Sequence, residues 1–196
     1  MTDPMLIEVD GLELSTPRLV LRPVTTVDLD DFHRIITSPG VQKGTLSFPP
    51  DIDLEWARAR LEEGIAKMQE GQCVYFHIHL RDVSGCDGAV GNIGLDLNER
   101  HRRGHLGFMI EECHRSKGYA TEALIAMVKY GFDEVQLHRL CASTWTWNEA
   151  SSKLLSRVGF TQEGRSREHL CKDGEYIDAD EWGMLATDPR PWKEQP

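Results

Sequence analysis

The sequence lacks the features that mark a disulfide scaffold, a zinc module, a membrane protein or a nucleic-acid binder. Five cysteines in 196 residues stand far apart at positions 73, 86, 113, 141 and 171. An odd number with no C-x-x-C pair suggests neither a disulfide framework nor a zinc knuckle, so they read as reduced thiols. No apolar run approaches the length of a membrane span, and the opening MTDPMLIEVDGLEL carries acids where a signal peptide needs basic residues. A cytoplasmic protein is expected. Basic side chains are outnumbered 22 to 32, giving a formal charge of −10 at pH 7, which argues against a protein that tracks nucleic-acid phosphates. That charge suits a basic peptide partner, and equally serves solubility.

What is present is enough for one packed domain. At 40% hydrophobic content the chain can bury a core without disulfides or metal. One domain is expected over residues 1–186, with 187–196 trailing as a short coil. Arg18 to Pro23 alternates charged and apolar positions before a proline, as a short strand does. Thr26 is placed to cap a helix carrying Leu29, Phe32 and Ile36 on one face. A second helix, from Asp53 to about Glu70, sets Leu54, Ala57, Leu61, Ile65 and Met68 at helical spacing. Cys73 to Leu80 has the period of a half-buried strand, with Val74, Phe76 and Ile78 inward and Tyr75, His77 and His79 on a polar face. Residues 89–97 and 105–110 form a hairpin in this reading, and Lys117 to Phe132 a helix with one stripe against a sheet. A strand from Arg139, a short helix ending at Gly159, and a terminal hairpin across Lys172-Asp173-Gly174 complete the pattern. The sum is an α+β fold, a mixed and mostly antiparallel sheet with about four helices.

The most informative stretch is His114-Arg-Ser-Lys-Gly-Tyr-Ala-Thr-Glu-Ala123, between a strand and the start of the longest helix. Unpaired amides at a helix start, backed by the helix dipole, form an anion site, and Gly118 with Ala120 leaves room for a pyrophosphate. A P-loop and a dinucleotide turn are both excluded: here the lysine precedes the glycine, and no G-x-G-x-x-G follows the first strand.

Arg115-x-x-Gly118-x-Ala120 resembles the acyl-CoA pyrophosphate signature of the GNAT acetyltransferases, and Lys-Gly-Tyr-Ala-Thr-Glu-Ala is similar to the RimJ/RimL-like branch that acetylates ribosomal-protein N-termini. Ser15-Thr-Pro-Arg-Leu-Val-Leu-Arg-Pro23, His138-Arg-Leu-Cys-Ala142 and Asn148-Glu-Ala-Ser-Ser-Lys-Leu-Leu-Ser-Arg-Val-Gly-Phe160 resemble further segments of that branch in the expected order. The resemblance implies a splayed sheet with acetyl-CoA lodged between two parted strands. It assigns the pyrophosphate to Arg115, Ser116, Lys117, Gly118, Tyr119, Ala120 and Thr121, and the pantetheine arm and thioester carbonyl to backbone groups near Phe108, Met109 and Ile110. Asn148 would bind the pantetheine or acetyl region, and Ser151 would donate to the departing thiolate. Asn followed three residues later by Ser is equally the spacing of a helix cap.

The branch's base glutamate matches Leu170 here. Glu168 shares that strand face by period two and is the expected substitute, with Asp178 second. The reaction implied is direct acetyl transfer to a primary amine, a peptide N-terminus being favoured. Alternatives are a small-molecule acetyltransferase acting on a drug, polyamine or amino-acid metabolite, a non-catalytic acyl-CoA-binding module, and an interaction domain without a ligand. Acceptor selection would fall to residues 40–55 and the terminal hairpin, where Phe48, Trp56, Trp182, Asp51, Asp53 and Glu55 are candidate pocket residues. His77 and His79 share a strand face, but no third ligand has matching spacing, so no metal is expected. His101, Arg102, Arg103 and His105 read as an exposed hairpin turn within reach of the CoA 3′-phosphate. A homodimer is compatible with the family.

Overall fold

The computed structural model describes residues 11–45, 48–81, 88–172 and 174–192. The first ten residues, Cys86 and the Asp173 turn position therefore lie outside the described residues. Eight strands form one sheet: β1 (Leu14–Ser15), β2 (Leu19–Pro23), β3 (Cys73–Leu80), β4 (Gly91–Asn98), β5 (Arg103–Ile110), β6 (Arg139–Trp145), β7 (Thr161–Lys172) and β8 (Glu175–Leu185). Their order is β1-β2-β3-β4-β5-β6-β8-β7. All neighbours are antiparallel except β5 and β6, which pair in parallel through Arg103–His105 and Arg139–Cys141.

The helices are α1 (Leu29–Thr37), α2 (Pro39–Gly44), α3 (Leu54–Gln69), α4 (Tyr119–Lys129) and α5 (Glu149–Val158), one more than the periodicity predicts. The additional one, α2, has proline at its first position and a single buried residue, Val41, too little to make an apolar stripe. Thr26 does not cap α1: it opens a short 3-10 turn, Thr26–Asp28, capped by Thr25, whose amide and hydroxyl both donate to Asp28 Oδ2 at 2.7 and 2.8 Å, and Asp28 stands directly before α1. Asp53 caps α3 by accepting the Trp56 amide at 2.7 Å. The long helix ends sooner than expected, passing into a π-turn over Tyr130–Glu134.

Two cores sandwich the sheet. One joins Leu124, Met127 and Val128 of α4 and Leu155 of α5 to Phe76, Ile78, Leu95 and Leu106. The other joins Phe32, Ile36, Ala57 and Leu61 of α1 and α3 to Cys73 and Ala89, with Tyr75 and Met109 packed beside them. β3 is thus buried on both faces, which corrects the half-buried reading. His77 is 1% exposed and His79 8%, and burial holds both imidazoles below their ordinary pKa, hence neutral near pH 7. Leu54 is exposed at the start of α3.

The described residues of the C-terminal segment, 187–192, pack back on the domain. Trp192 Nε1 donates to Val158 O at 3.1 Å, and Arg190 pairs with Asp133 at 2.9 Å. Among the described residues no helix is long and apolar enough to cross a membrane.

Candidate active site

After His105 and Cys141 no further pairs join β5 to β6, although β5 runs to Ile110 and β6 to Trp145. A cavity of about 430 Å3 opens where they part. Phe108 and Met109 line it from β5, and Ser143 and Trp145 from β6. Asn148 and Ser151 border it from the start of α5, and Phe48, Tyr75, Asn92 and Asp96 from the other side. Ile110 does not line it: its side chain is buried in the core with α4, and its carbonyl accepts Arg115 Nε at 2.9 Å.

The Arg115–Thr121 turn lies between the end of β5 and α4, beyond the residues that line the cavity. Ser116 and Gly118 both take left-handed conformations, φ 61° and 81°, so the chain reverses sharply before the unpaired amides of the first turn of α4. The turn is braced from β2's approach. Arg18 Nη1 donates to Lys117 O at 2.9 Å, and its guanidinium lies 5.0 Å from the centre of the Tyr119 ring. Glu122 collects the Thr16 hydroxyl at 2.6 Å, the Arg18 amide at 2.8 Å and Arg18 Nε at 2.6 Å. The two motifs remote in sequence are therefore one structural unit. Arg115 is turned back on the fold, so close to α2 that a Cβ on Gly40 would lie 2.6 Å from Nη1.

Asn148 is a helix cap: its Oδ1 accepts the Ser151 amide at 3.3 Å. Both residues also border the cavity, so the cap leaves them positioned where a ligand could meet them. Replacing Asn148 with alanine is expected to cost about 1 kcal/mol in chemical unfolding, and with aspartate much less, since aspartate caps as well. A ligand role is separated from capping if Asn148→Asp keeps stability yet loses activity.

Glu168 is not brought to the cavity. Between Ser166 and Leu170 the register of β7 against β8 shifts, and Glu168 sits in that bulge with φ 48°. The bulge breaks the alternation on which its placement rested. His169 and Leu170 line the cavity instead, while the Glu168 amide donates to Asp178 Oδ1 at 2.8 Å.

On the acceptor side, Phe48 lines the cavity and Trp56 packs edge-on behind it at 6.0 Å. Trp182 belongs to the core, Asp53 is spent on its cap, and Asp51 and Glu55 do not line the cavity. The end of α2 is roofed over the opening by Trp145 Nε1 donating to Gly44 O at 2.9 Å and Lys172 Nζ donating to Thr45 O at 3.0 Å. Several cavity residues escaped the sequence reading, among them Tyr75, Asn92, Asp96, His105, Ser143 and His169. Tyr75 and His105 alternate correctly for strands, but nothing local reveals what faces them. His105 lies within β5, not in the turn formed by Glu99–His101.

Among the described residues, one trio, Glu111, Cys113 and His114, brings three ligand-type atoms within 4.8 Å of one another. Its carboxylate is already paired with Arg34.

The family profile described as Acetyltransferase (GNAT) domain matches residues 18–161, the stretch from the bracing arginine through the anion turn, the fork and α5. The chain belongs to the GNAT acetyltransferase family. It is an N-acetyltransferase by that membership, and its relatives carry the same name. An uncharacterized N-acetyltransferase, YoaA of Bacillus subtilis (strain 168), is 29% identical over 88% of this chain and 96% of its own. The L-amino acid N-acetyltransferase AaaT of Escherichia coli (strain K12) is 25% identical over 82% of this chain and 94% of its own. Among solved structures, that of RimL, a ribosomal L7/L12 alpha-N-protein acetyltransferase in complex with coenzyme A, superposes with a TM-score of 0.79 at 18% identity. It covers 89% of this chain and 98% of that one, a likeness of fold.

Proposed function

We propose that this GNAT enzyme acts in the cytoplasm on acetyl-CoA, as a member of the RimJ/RimL-like branch, and passes the acetyl group to the α-amine of a peptide or protein. The observation that carries the cosubstrate is the fork itself, a cavity between parted parallel strands, with the β5-to-α4 turn next along the chain as the proposed anion site. The pyrophosphate goes to the Arg115–Thr121 turn, and the pantetheine arm runs between Phe108–Ile110 and Ser143–Trp145. Strand amides left unpaired by the parting of β5 and β6 polarise the thioester carbonyl and hold the oxyanion. The Ser151 hydroxyl protonates the sulfur as it leaves.

The acceptor follows from proton chemistry and from the rim. An α-amine loses its proton at about pH 8 and a lysine amine only at about 10.4, so an N-terminus reaches the nucleophilic form with little help. Leu170, 40% exposed and lining the cavity, offers apolar surface to an extended chain. The acidic charge favours basic sequences.

A second reading, transfer to a free amino acid, has its own support: AaaT matches over nearly its whole length. Thiol release from acetyl-CoA distinguishes the two. Peptides with free α-amines, the same peptides N-terminally blocked, free amino acids and polyamines are the panel. The peptide reading requires the free-amine peptides to turn over fastest and blocking to abolish release; faster turnover of amino acids or polyamines overturns it.

A further inference from the structure

A polar row crosses the sheet where β5 and β6 begin to part. On β3 the Tyr75 hydroxyl donates to Asp96 Oδ1 of β4. Asp96 stands directly opposite His105 of β5 in the antiparallel register, with Cβ atoms expected about 5 Å apart. His105 Nε2 lies 3.4 Å from Ser143 Oγ of β6, and that hydroxyl donates to Glu181 Oε2 of β8 at 2.7 Å. Ser166 of β7 donates to the other Glu181 oxygen at 3.0 Å. Tyr75, Asp96, His105 and Ser143 all line the cavity.

The direction of these bonds fixes the histidine's tautomer. Because the Ser143 proton is committed to Glu181, Ser143 Oγ accepts from His105, so Nε2 carries the hydrogen and Nδ1 keeps its lone pair. The position is equally specific. His105 is the last β5 residue paired with β6, at the inner end of the fork, while the proposed anion turn follows Ile110, beyond the outer end of β5. Five residue steps of strand separate His105 from Ile110, roughly 16 Å at the usual rise. A cosubstrate anchored by its pyrophosphate at the outer end therefore presents its thioester toward His105.

We propose that His105 is the proton acceptor of the transfer reaction, positioned by Ser143 and Glu181, with the Asp96 carboxylate across the β4–β5 pair supplying charge rather than a hydrogen bond. As the amine lone pair forms the C–N bond, Nδ1 takes the proton that the nitrogen sheds. The C–S bond then breaks with its electron pair on sulfur, which takes the proton of the Ser151 hydroxyl as solvent water reprotonates that oxygen; the imidazolium of His105 returns its proton to solvent and resets the site. The two carboxylates offset the charge that the imidazole gains. This proposal rests on the acetyl-CoA reading above, and it supplies the base that Glu168 is misplaced to provide.

The test uses His105→Gly, His105→Gln, Ser143→Ala and Glu181→Gln in the full chain, with two readouts: thermal stabilisation by acetyl-CoA, and kcat and KM with the best acceptor. All four variants are expected to keep the acetyl-CoA stabilisation. His105→Gly and His105→Gln should lose about 100-fold or more in kcat, the usual scale for a proton-transfer group. Added imidazole should restore part of the loss in the glycine variant. Ser143→Ala and Glu181→Gln should lower kcat about tenfold with the KM for acetyl-CoA unchanged. A His105 variant that keeps wild-type kcat, or a loss that imidazole leaves untouched, overturns the assignment. If His105→Gly does not fold, the kcat of His105→Gln decides alone. Absence of both stabilisation and turnover in the wild type overturns the acetyl-CoA reading instead, and this assignment with it.

Discussion

Acetyl-CoA at a hundred times its dissociation constant should raise the unfolding free energy of the wild type by about 2.7 kcal/mol. For a chain of this size that is a rise in Tm of roughly 5–10 °C, and Gly118→Glu should abolish it. The glycine stands at φ 81° directly before α4, and a Cβ there would approach Arg18 Nη2 to 3.2 Å. Any side chain thus carries a left-handed backbone cost of about 1–2 kcal/mol. Glutamate adds a negative charge at the amides proposed to receive the pyrophosphate, reversing the electrostatics of the site. Gly118→Ala separates the two effects, because it carries the backbone cost without the charge. The expected order of stabilisation by acetyl-CoA is wild type, then alanine, then glutamate at zero. A glutamate variant stabilised as strongly as wild type would remove the pyrophosphate from this turn.

The same turn shows why some of this geometry was legible in the sequence and some was not. The turn before α4 is local: a strand end, a glycine at positive φ and a helix start lie within ten residues of chain, and its geometry depends on little else. The Asp53 cap and the Asn148 cap are local for the same reason. Glu168 failed because period two holds only while register holds, and the shift between Ser166 and Leu170 is set by how β7 meets β8. His77 was misread because alternation separates two strand faces without saying what covers each. Here α1 and α3 cover the polar one, leaving both ring nitrogens of His77 buried and without a protein partner. His105 could be found only after β4, β6 and β8 were laid beside β5, since every group in its row comes from a different strand. Trp192, read as part of a loose tail, docks because its indole N–H finds the Val158 carbonyl, an acceptor at the end of α5 that no tail composition reveals.

Glu122 is expected to carry the largest share of stability of any exposed-side contact around the site, and its contribution should vanish in acid. Burial by itself would raise its pKa. The hydrogen bonds from the Thr16 hydroxyl and from the Arg18 amide and guanidinium, with that guanidinium's charge, outweigh burial and hold the carboxyl below its ordinary value of 4.5. A carboxyl depressed in the folded state binds fewer protons there than in the unfolded chain. Its stabilisation is therefore complete above about pH 4.5, the unfolded value, and is lost as pH falls through the lower folded value. Glu122→Ala leaves the Arg18 amide and Nε without their acceptor, and the Thr16 hydroxyl with only its longer bond to Leu19 O at 3.2 Å, at a cost of about 1–3 kcal/mol at neutral pH. Urea unfolding of wild type and Glu122→Gln should show a gap at pH 7 that narrows steadily below pH 4.5; a gap independent of pH would show that the charge contributes nothing. The functional consequence follows from the same bonds. Glu122 holds Arg18, and Arg18 holds the Lys117 carbonyl, so losing the carboxylate frees the turn whose amides must stay aligned for the pyrophosphate. Acetyl-CoA should then stabilise Glu122→Ala less than wild type even under conditions where both are fully folded, because part of the binding free energy is spent re-forming the turn.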